Sequence, residues 1–490
     1  MMPPRAVPRL VGGQWLMPAD GRHIDVVDPA DVRRVVGRVP AMSAAEVTEL
    51  YDAAVLGARR WRATGLLGRA QVLIDAAADL RGRREEIAAD LVAEMGKTLA
   101  EATVEVTKAA DFFDYYASMA RQPYGHLLAD SRPGTETSVR SEPLGVVCLI
   151  TPWNDPLLTP ARKAAPALIA GNAVVLKPAS ETPLVAVHLA RSLHDAGLPA
   201  GVLGLALGRI SEIEAALLDD PRIAAVSFTG STAVGRILRR RLADRTVRVQ
   251  AELGGKNASV VLADADLALA VPTVAAASFG QTGQRCTATS RVIVDRKIAD
   301  EFIAGLVQAT EAIPYGPGTD PDVVVGPLVS RRHRDDVLGH IERARQEGAV
   351  IATGGTTPAD GPLAHGCFVT PTVITEVTPA MGIWRDEVFG PVLAVGVVDG
   401  FDAAVAAAND SAYGLAASIF TRDLGHAHAF ADRVDTGQVS VNLPTSGWDV
   451  HMPFGGFGDS GGSTVKEQGY EGLRFYSRVK TVAMRSEPGS

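Results

Sequence analysis

Residues Phe279 to Ser290, FGQTGQRCTATS, set one cysteine, Cys286, among small, polar and cationic neighbours. Arg285 precedes it, Thr287 follows it, and Gly280 and Gly283 lie upstream. A cysteine kept only for packing usually sits in an apolar run, whereas a neighbouring cation favours the nucleophilic thiolate. Glycines let the backbone approach a ligand closely. A buried structural cysteine in a helix-to-strand connection is the other reading this stretch permits. A cysteine nucleophile needs an anion stabiliser, a proton-handling group and an acceptor for whatever leaves. Glu252 ends a strand-like run and is followed by two glycines. A partly buried carboxylate there can act as general base, its pKa raised toward neutrality. Pairing with Lys256 is the structural alternative. Asn154, in a tight Trp-Asn-Asp-Pro turn, can hydrogen-bond a developing oxyanion together with the Cys286 N–H. It can equally be an asparagine chosen for the turn.

Other residues carry weaker signals. FTGSTAVG (228–235) offers Gly230 and Ser231 at a helix N-terminus, a natural phosphate site, although Ser is also a good N-cap. Lys177 can reach a ribose or phosphate, or it is a surface lysine at a turn. No G-x-G-x-x-G follows a strand, so the commonest dinucleotide fingerprint is not indicated. His426 and His428 stand two apart on a predicted helix and face different ways, so no metal site is expected. His451, beside PFGG, either lines a pocket or is a plain loop histidine.

The elements that position these residues follow from the rest of the 490-residue chain. It suggests two or three domains with ample core. Hydrophobic content of 47% and charged content of 21% are ordinary for a globular protein. A formal charge of −8 disfavours a nucleic-acid partner. Three cysteines, Cys148, Cys286 and Cys367, make no disulfide framework and no zinc site, and a reducing cytoplasm fits them best. The N-terminus has no signal-peptide core, and apolar stretches such as 267–277 are too short to span a bilayer.

Residues 10–40 read as an N-terminal hairpin or arm. Ser43 with Glu46 forms a capping box and opens a helix. Further helices are predicted over 66–82, 84–95 and 98–120, with the RGRREE cluster (81–86) a solvated junction. Residues 122–143 form a polar, β-like excursion. From Leu144 buried-strand runs (145–150, 173–177, 202–207, 224–228, 247–253) alternate with helices (160–170, 183–196, 211–218, 231–243). That rhythm predicts an α/β fold with an open parallel sheet, whose ligands bind beyond the strands' carboxyl ends. A second α/β unit spans about 254–455. The tail, 475–484, reads as a strand that pairs with an edge elsewhere, on this subunit or another.

Taken together, TPWN, KPASETP, FTGS, ELGGKN, GQRC, EVFGPV, NLPT and PFGG, in this order over almost the whole chain, resemble the aldehyde dehydrogenase superfamily. The resemblance implies a Rossmann-type cofactor domain (1–121 and 144–253), a second α/β catalytic domain (254–455) and a small β bridging domain (122–143 and 470–490). It implies NAD or NADP as cofactor, a small-molecule aldehyde as substrate, and a homodimer or homotetramer paired through the bridging domain, with no nucleic acid and no membrane. Cys286 then attacks an aldehyde, and Asn154 with the Cys286 N–H stabilises the oxyanion. Glu252 activates water against the resulting thioester, and Lys163 lies beneath the asparagine turn. The implied cofactor crevice takes Ile150, Thr151, Pro152 and Trp153 from the first strand's tip. Lys177, Ser180 and Glu181 come from the second, and Gly208 follows the third. Phe228, Thr229, Gly230, Ser231 and Val234 come from the fourth, and Leu253 and Gly254 from the fifth. Glu387 and Phe389 reach in from the second unit.

Two departures stand out. Many NAD-preferring members carry Glu three residues after the lysine; here that position is Ser180, with Glu181 displaced by one. Losing a carboxylate removes repulsion against a 2′-phosphate, so NADP is expected to be tolerated. Asp155 follows Asn154 where an apolar residue is usual. The ending NLPTSGWDVHMPFGG…EQG resembles 2-oxoglutarate-semialdehyde dehydrogenases, and Arg162-Lys163 resembles succinate-semialdehyde dehydrogenases. Both imply an acidic aldehyde, with Arg162 and Arg285 as carboxylate clamps and Thr287 and His451 as further substrate contacts. FGDSGGS departs from both, so an aromatic or aliphatic aldehyde stays open. A CoA-acylating relative would lack the base at Glu252. A catalytically silent relative would lack Cys286, Glu252 or Asn154, and all three are present.

Overall fold

The computed structural model describes residues 5–17, 21–122, 125–461 and 465–485. The alternation of apolar runs and helical stretches resolves into two parallel sheets. The first has five strands, all parallel: Leu203–Leu205, Ala173–Lys177, Val146–Ile150, Ile223–Thr229 and Arg248–Glu252, in that spatial order. Numbered along the chain this order is 3-2-1-4-5. It reverses between Val146–Ile150 and Ile223–Thr229, the switch point where such sheets bind ligands. The sheet is the Rossmann type, reached without the glycine fingerprint.

The second sheet has seven strands. Its central run is Thr372–Thr375, Val392–Val398, Arg291–Asp295, Ala258–Val261, Ala416–Phe420 and Gln438–Val441, all parallel, with Val350–Thr353 antiparallel at one edge. Strands such as VVCLI and RVIVD are apolar on both faces because helices cover both faces. Two apolar clusters pack its opposite faces, one around Ile293 and Trp384, the other around Phe279 and Phe302. A larger cluster, from Val7 to Leu253 with Phe475 and Tyr476, fills the first unit.

A third, antiparallel sheet joins Gly125–Leu128, Thr135–Pro143 and Ser477–Arg485. The tail strand was expected from 475 and open to another subunit. It starts at Ser477, after a helix over Gly469–Phe475, and pairs with the chain's own 135–143, Ser477 opposite Pro143 and Arg485 opposite Thr135. That helix packs against Leu158–Ala170, and the Tyr116 hydroxyl donates to Gly469 O at 2.9 Å. Residues 123–124, 462–464 and 486–490, which the sequence assigned to the excursion, the glycine loop and the tail, lie outside the described residues.

Helix starts are set by carboxylates. Ser43 with Glu46, and Thr98 with Glu101, form reciprocal capping boxes. Two helices of the first unit start without a side-chain cap of their own and borrow one. Glu94 accepts the N–H groups of Leu184 (2.8 Å) and Val185 (3.0 Å). Glu105 accepts those of Leu157 (2.9 Å) and Leu158 (3.0 Å) at the start of Leu158–Ala170. The RGRREE junction is only partly solvated, because Arg83 turns inward to Asp79, Ser192 and the buried His188. Glu94→Ala strands two buried donors and is expected to destabilise the protein by about 2–4 kcal/mol. A lowered thermal midpoint, with far-UV dichroism otherwise intact, checks this.

Candidate active site

Three tips of the first sheet meet one loop of the second. Asn154 follows Val146–Ile150, Ser231 follows Ile223–Thr229, and Glu252 ends Arg248–Glu252, all at carboxyl ends. Cys286 precedes Arg291–Asp295 and so lies at the amino edge of the other sheet.

The cysteine loop is strained. Gln281 (φ 53°), Thr282 (φ 59°) and Gly283 (φ 65°) are consecutive left-handed residues. For the two non-glycines that costs roughly 1–2 kcal/mol each. Gly283 is obligatory, since a Cβ there would strike the Gly390 carbonyl. Hydrogen bonds hold the turn. Gln281 N donates to Glu101 Oε1 (2.6 Å), and its Nε2 donates to Asn154 O (2.7 Å) and Asp155 Oδ1 (2.9 Å). Thr282 Oγ1 donates to Gly326 O (3.1 Å), and Val329 N donates to Gln284 Oε1 (3.0 Å). The asparagine turn is tied to the same loop: Asn154 Nδ2 donates to Gln284 O at 3.0 Å, two residues before Cys286. Lys97 Nζ donates to Asn154 O (2.9 Å) and pairs with Glu105.

Cys286 stands where two cavities meet, and Arg162 and Asp155 also line both. One cavity, of about 210 Å3, is walled by Pro152, Trp153, Asn154, Thr229, Gly230, Ser231, Leu253, Gly254, Glu387 and Phe389. The other, of about 120 Å3, has Arg285, Thr287, Trp448, Val450 and Phe454 on its wall. Within the first, Gly254 and Gly230 are required by space: a Cβ at Gly254 would overlap the Glu387 carboxylate, and one at Gly230 would come 2.6 Å from the Phe228 ring. Glu387 is fixed by the Gly255 N–H at 2.9 Å. Thr229 Oγ1 is buried without a hydrogen-bond partner, and the helix Thr232–Leu242 opens beside it with Ser231 as N-cap. An aromatic slot, orphaned hydroxyl, open helix end and fixed carboxylate fit the phosphates and riboses of a dinucleotide.

The expected residues divide clearly. Lys177, Ser180 and Gly208 lie farther along the sheet edge, with Ser180 Oγ donating to Gly208 O at 3.2 Å. Burial lowers the Lys177 amine to about 8, while the nearby Glu181 raises it; the carboxylate displaced by one residue still faces the lysine. Ile150 and the buried Thr151 back the turn, and Val234 is 48% exposed on the helix behind Ser231. His451 is exposed, its ring 3.5 Å from Asp449, and Trp448, Val450 and Phe454 line the cavity instead. Arg285 binds Gln281 Oε1 (2.6 Å), so the cation that the Cys286 thiol feels is Arg162, not its sequence neighbour. Glu252 is not paired with Lys256, which faces Glu387 and Arg291.

Burial dominates the electrostatics. It pushes the Cys286 thiol up to about 12, with Arg162 pulling down and Asp155, Glu387 and Glu252 pushing up. Burial likewise raises Glu252 to about 8, against the attraction of Lys163, Arg162, Lys466 and Arg239. Lys163 is held well below the usual amine range by burial and by Arg162, with Glu252 opposing. Its Nζ donates to Ser227 Oγ (2.8 Å) and meets Glu467. Burial would raise Asp155, but Lys97, Arg285, Gln281 and Arg162 hold its carboxyl below the ordinary range. Sequence reasoning missed Lys97, Gln281, Trp448, Phe454, His333 and Glu467. Glu467 and Trp448 lie in motifs that carried the resemblance, whereas Lys97 reads as a solvated inter-helix residue.

With this geometry in place, comparison with known proteins is direct. Residues 15–482 match the model of the aldehyde dehydrogenase family. The chain belongs to that family. Among its relatives are an alpha-ketoglutarate semialdehyde dehydrogenase of Haloferax volcanii, 44% identical over 96% of this chain and 98% of that protein, and a 2,5-dioxopentanoate dehydrogenase of Saccharolobus solfataricus, 38% identical over 96% and 97%. Among solved structures, betaine aldehyde dehydrogenase from Staphylococcus aureus in complex with NAD+ superposes with a TM-score of 0.94 at 32% identity, covering 99% of this chain and 95% of that one. An aldehyde dehydrogenase of Burkholderia cenocepacia gives 0.94 at 34% identity, covering 98% and 97%. This aldehyde dehydrogenase is an oxidoreductase acting on aldehydes, and among the described residues no helix is long and apolar enough to cross a membrane.

Burial raises both the Cys286 thiol and the Glu252 carboxyl, so a reaction that needs their ionised forms quickens as pH rises. Turnover is expected to rise with pH between about 6 and 9, and the limb assigned to Glu252 is expected to vanish in Glu252→Gln. A kcat–pH profile of both proteins checks this.

Proposed function

We propose that this enzyme oxidises a short acidic semialdehyde, of the 2-oxoglutarate- or succinate-semialdehyde type, to the carboxylic acid with NAD or NADP. The observation that carries the reading is the shared position of Cys286 and Arg162 on both cavity walls: a nucleophile with a buried guanidinium beside it. Relatives named for α-ketoglutarate semialdehyde support the same substrate class.

Cys286 Sγ attacks the carbonyl carbon as its proton passes to solvent water. The amide of Asn154, whose other N–H is spent on Gln284 O, hydrogen-bonds the oxyanion with the Cys286 N–H. A bound NAD(P) supplies the hydride acceptor that lets the thiohemiacetal on Cys286 become a thioester. Trp153, Ser231, Glu387 and Phe389 orient that cofactor, Lys177 takes its adenine-side ribose, and Gly254 keeps its approach open. Glu252 then takes a proton from water as the hydroxyl attacks the thioester, and the Cys286 thiol is released with the acid. Arg162 stands 4.7 Å over the Phe454 ring and 3.2 Å from a Glu467 oxygen to which its Nε has no well-aligned hydrogen bond. Its Nη2 donates to Thr159 Oγ1 at 3.3 Å, and its guanidinium lines both cavities, where a substrate carboxylate can meet it. Arg285, half-buried on the wall of the second cavity, is a second clamp.

Ser180 removes one carboxylate from the adenosine site, so NADP is accepted, while Glu181 beside Lys177 keeps NAD usable. We further propose that the chain is divided as its sheets are, with the antiparallel sheet as the bridging domain. Leu127, Leu128, Val479 and Met484 are at least half exposed on that sheet, which suits a homodimer or homotetramer. Light scattering after gel filtration measures the mass.

A panel of short semialdehydes and neutral aldehydes, each with NAD and NADP, tests the assignment. Arg162→Ala is expected to raise KM for acidic aldehydes about tenfold or more and to leave neutral ones nearly unchanged. Equal effects on both classes refute the clamp. Cys286→Ala abolishes turnover while cofactor binding persists. A thousandfold preference for NAD overturns the cofactor reading.

A further inference from the structure

Lys466 and Glu467 are sequence neighbours whose side chains take different partners. Glu467 reaches Lys163 and Arg162. The half-buried Lys466 donates from Nζ to the carbonyls of Gly437 (2.9 Å) and Gly455 (2.6 Å), with the Phe457 ring 5.1 Å away.

Gly455 is the surface against which the Glu252 carboxylate rests. Its φ is +140°, and a Cβ there would come 2.6 Å from Glu252 Oε1. Glu252 Oε2 is buried and receives no hydrogen bond. With no donor on that oxygen, the carboxylate depends on its backbone seat and on surrounding charge. The charged groups facing it are Lys163 and Arg162 from Leu158–Ala170, Arg239 from Thr232–Leu242, and Lys466. Lys163 pairs with Glu467, and Arg162 lies 3.2 Å from the same carboxylate without an aligned hydrogen bond. Arg239 and Lys466 bond neutral carbonyls, Arg239 that of Gly461. Only Lys466 also grips the peptide on which the carboxylate lies.

We propose that Lys466 is a positioning residue for Glu252: it pins the Gly455 peptide that seats the carboxylate and sets a positive charge beside it. This inference rests on Glu252 being the general base. Without Lys466 the carboxylate loses both its fixed seat and a stabilising cation, so its ionised form needs a higher pH.

The test uses the full-length enzyme with a semialdehyde and NAD(P). It measures kcat against pH, and acyl-enzyme on Cys286 at steady state by mass spectrometry. Lys466→Met is expected to lower kcat at pH 7 about tenfold, to raise acyl-enzyme occupancy, and to shift the acid limb of kcat upward by roughly one unit. Activity recovers toward pH 9, and Lys466→Arg restores kcat to within about threefold. An unchanged kcat, or a fall with neither acyl-enzyme accumulation nor a shifted limb, overturns the proposal. If Lys466→Met does not fold, Lys466→Gln is read by the same two criteria. Glu252→Gln separates the two ideas. If its acyl-enzyme hydrolyses at the wild-type rate, the base assignment itself fails. If it stalls as acyl-enzyme while Lys466→Met does not, the base stands and the role of Lys466 falls.

Discussion

The site depends on two loops from different sheets being fixed to each other. The Asn154 turn leaves the carboxyl edge of one sheet, and the Cys286 loop enters the amino edge of the other. Neither loop has a regular hydrogen-bond ladder there. Their mutual geometry comes from a few buried contacts: Asn154 Nδ2 to Gln284 O, Gln281 Nε2 back to Asn154 O, and Lys97 Nζ to that same carbonyl. Because Asn154 O accepts from both Gln281 and Lys97, rotation of the turn would leave buried donors unpaired. The left-handed run at 281–283 persists because these bonds over-determine it.

Lys97 is itself held by Glu105, and Glu105 caps the helix that carries Arg162 and Lys163. One carboxylate thus fixes both Lys97, which takes the place beneath the asparagine turn that the resemblance gave to Lys163, and the start of the helix that carries Arg162 and Lys163. Glu101 does similar double duty, closing its own capping box and accepting the Gln281 N–H. Fold stability and site geometry therefore share the same side chains. The low-dielectric interior that raises Cys286 and Glu252 also makes these pairings strong.

Much of this was legible in the chain. Strand runs such as AVVLK matched their observed limits, and the capping box at Ser43 is present in full. Cys286, Asn154 and the glycines of ELGG could be singled out because chemistry restricts which residue types serve, and Gly254 because space does. Charge partners were not legible. Arg285 looked like the cysteine's cation and instead binds Gln281; Arg162, far away in sequence, takes that place. Pairing with Lys256 was the alternative reading of Glu252, and Lys256 instead faces Glu387 and Arg291. His451 appeared to belong to the pocket, but its loop presents Trp448, Val450 and Phe454 inward.

The amino-acid sequence by itself determined the α/β alternation, the two units and the residue types able to do the chemistry. Periodicity, capping and turn chemistry are local, and a short window carries them. Tertiary structure alone decided that the carboxyl edge of one sheet faces the amino edge of the other, that Arg162 lines both cavities with the thiol, and that Lys466 holds the Gly455 peptide beside Glu252. Those outcomes are set by long-range packing and by desolvation of charges separated by a hundred residues or more, and neither leaves a signature in any one stretch of chain.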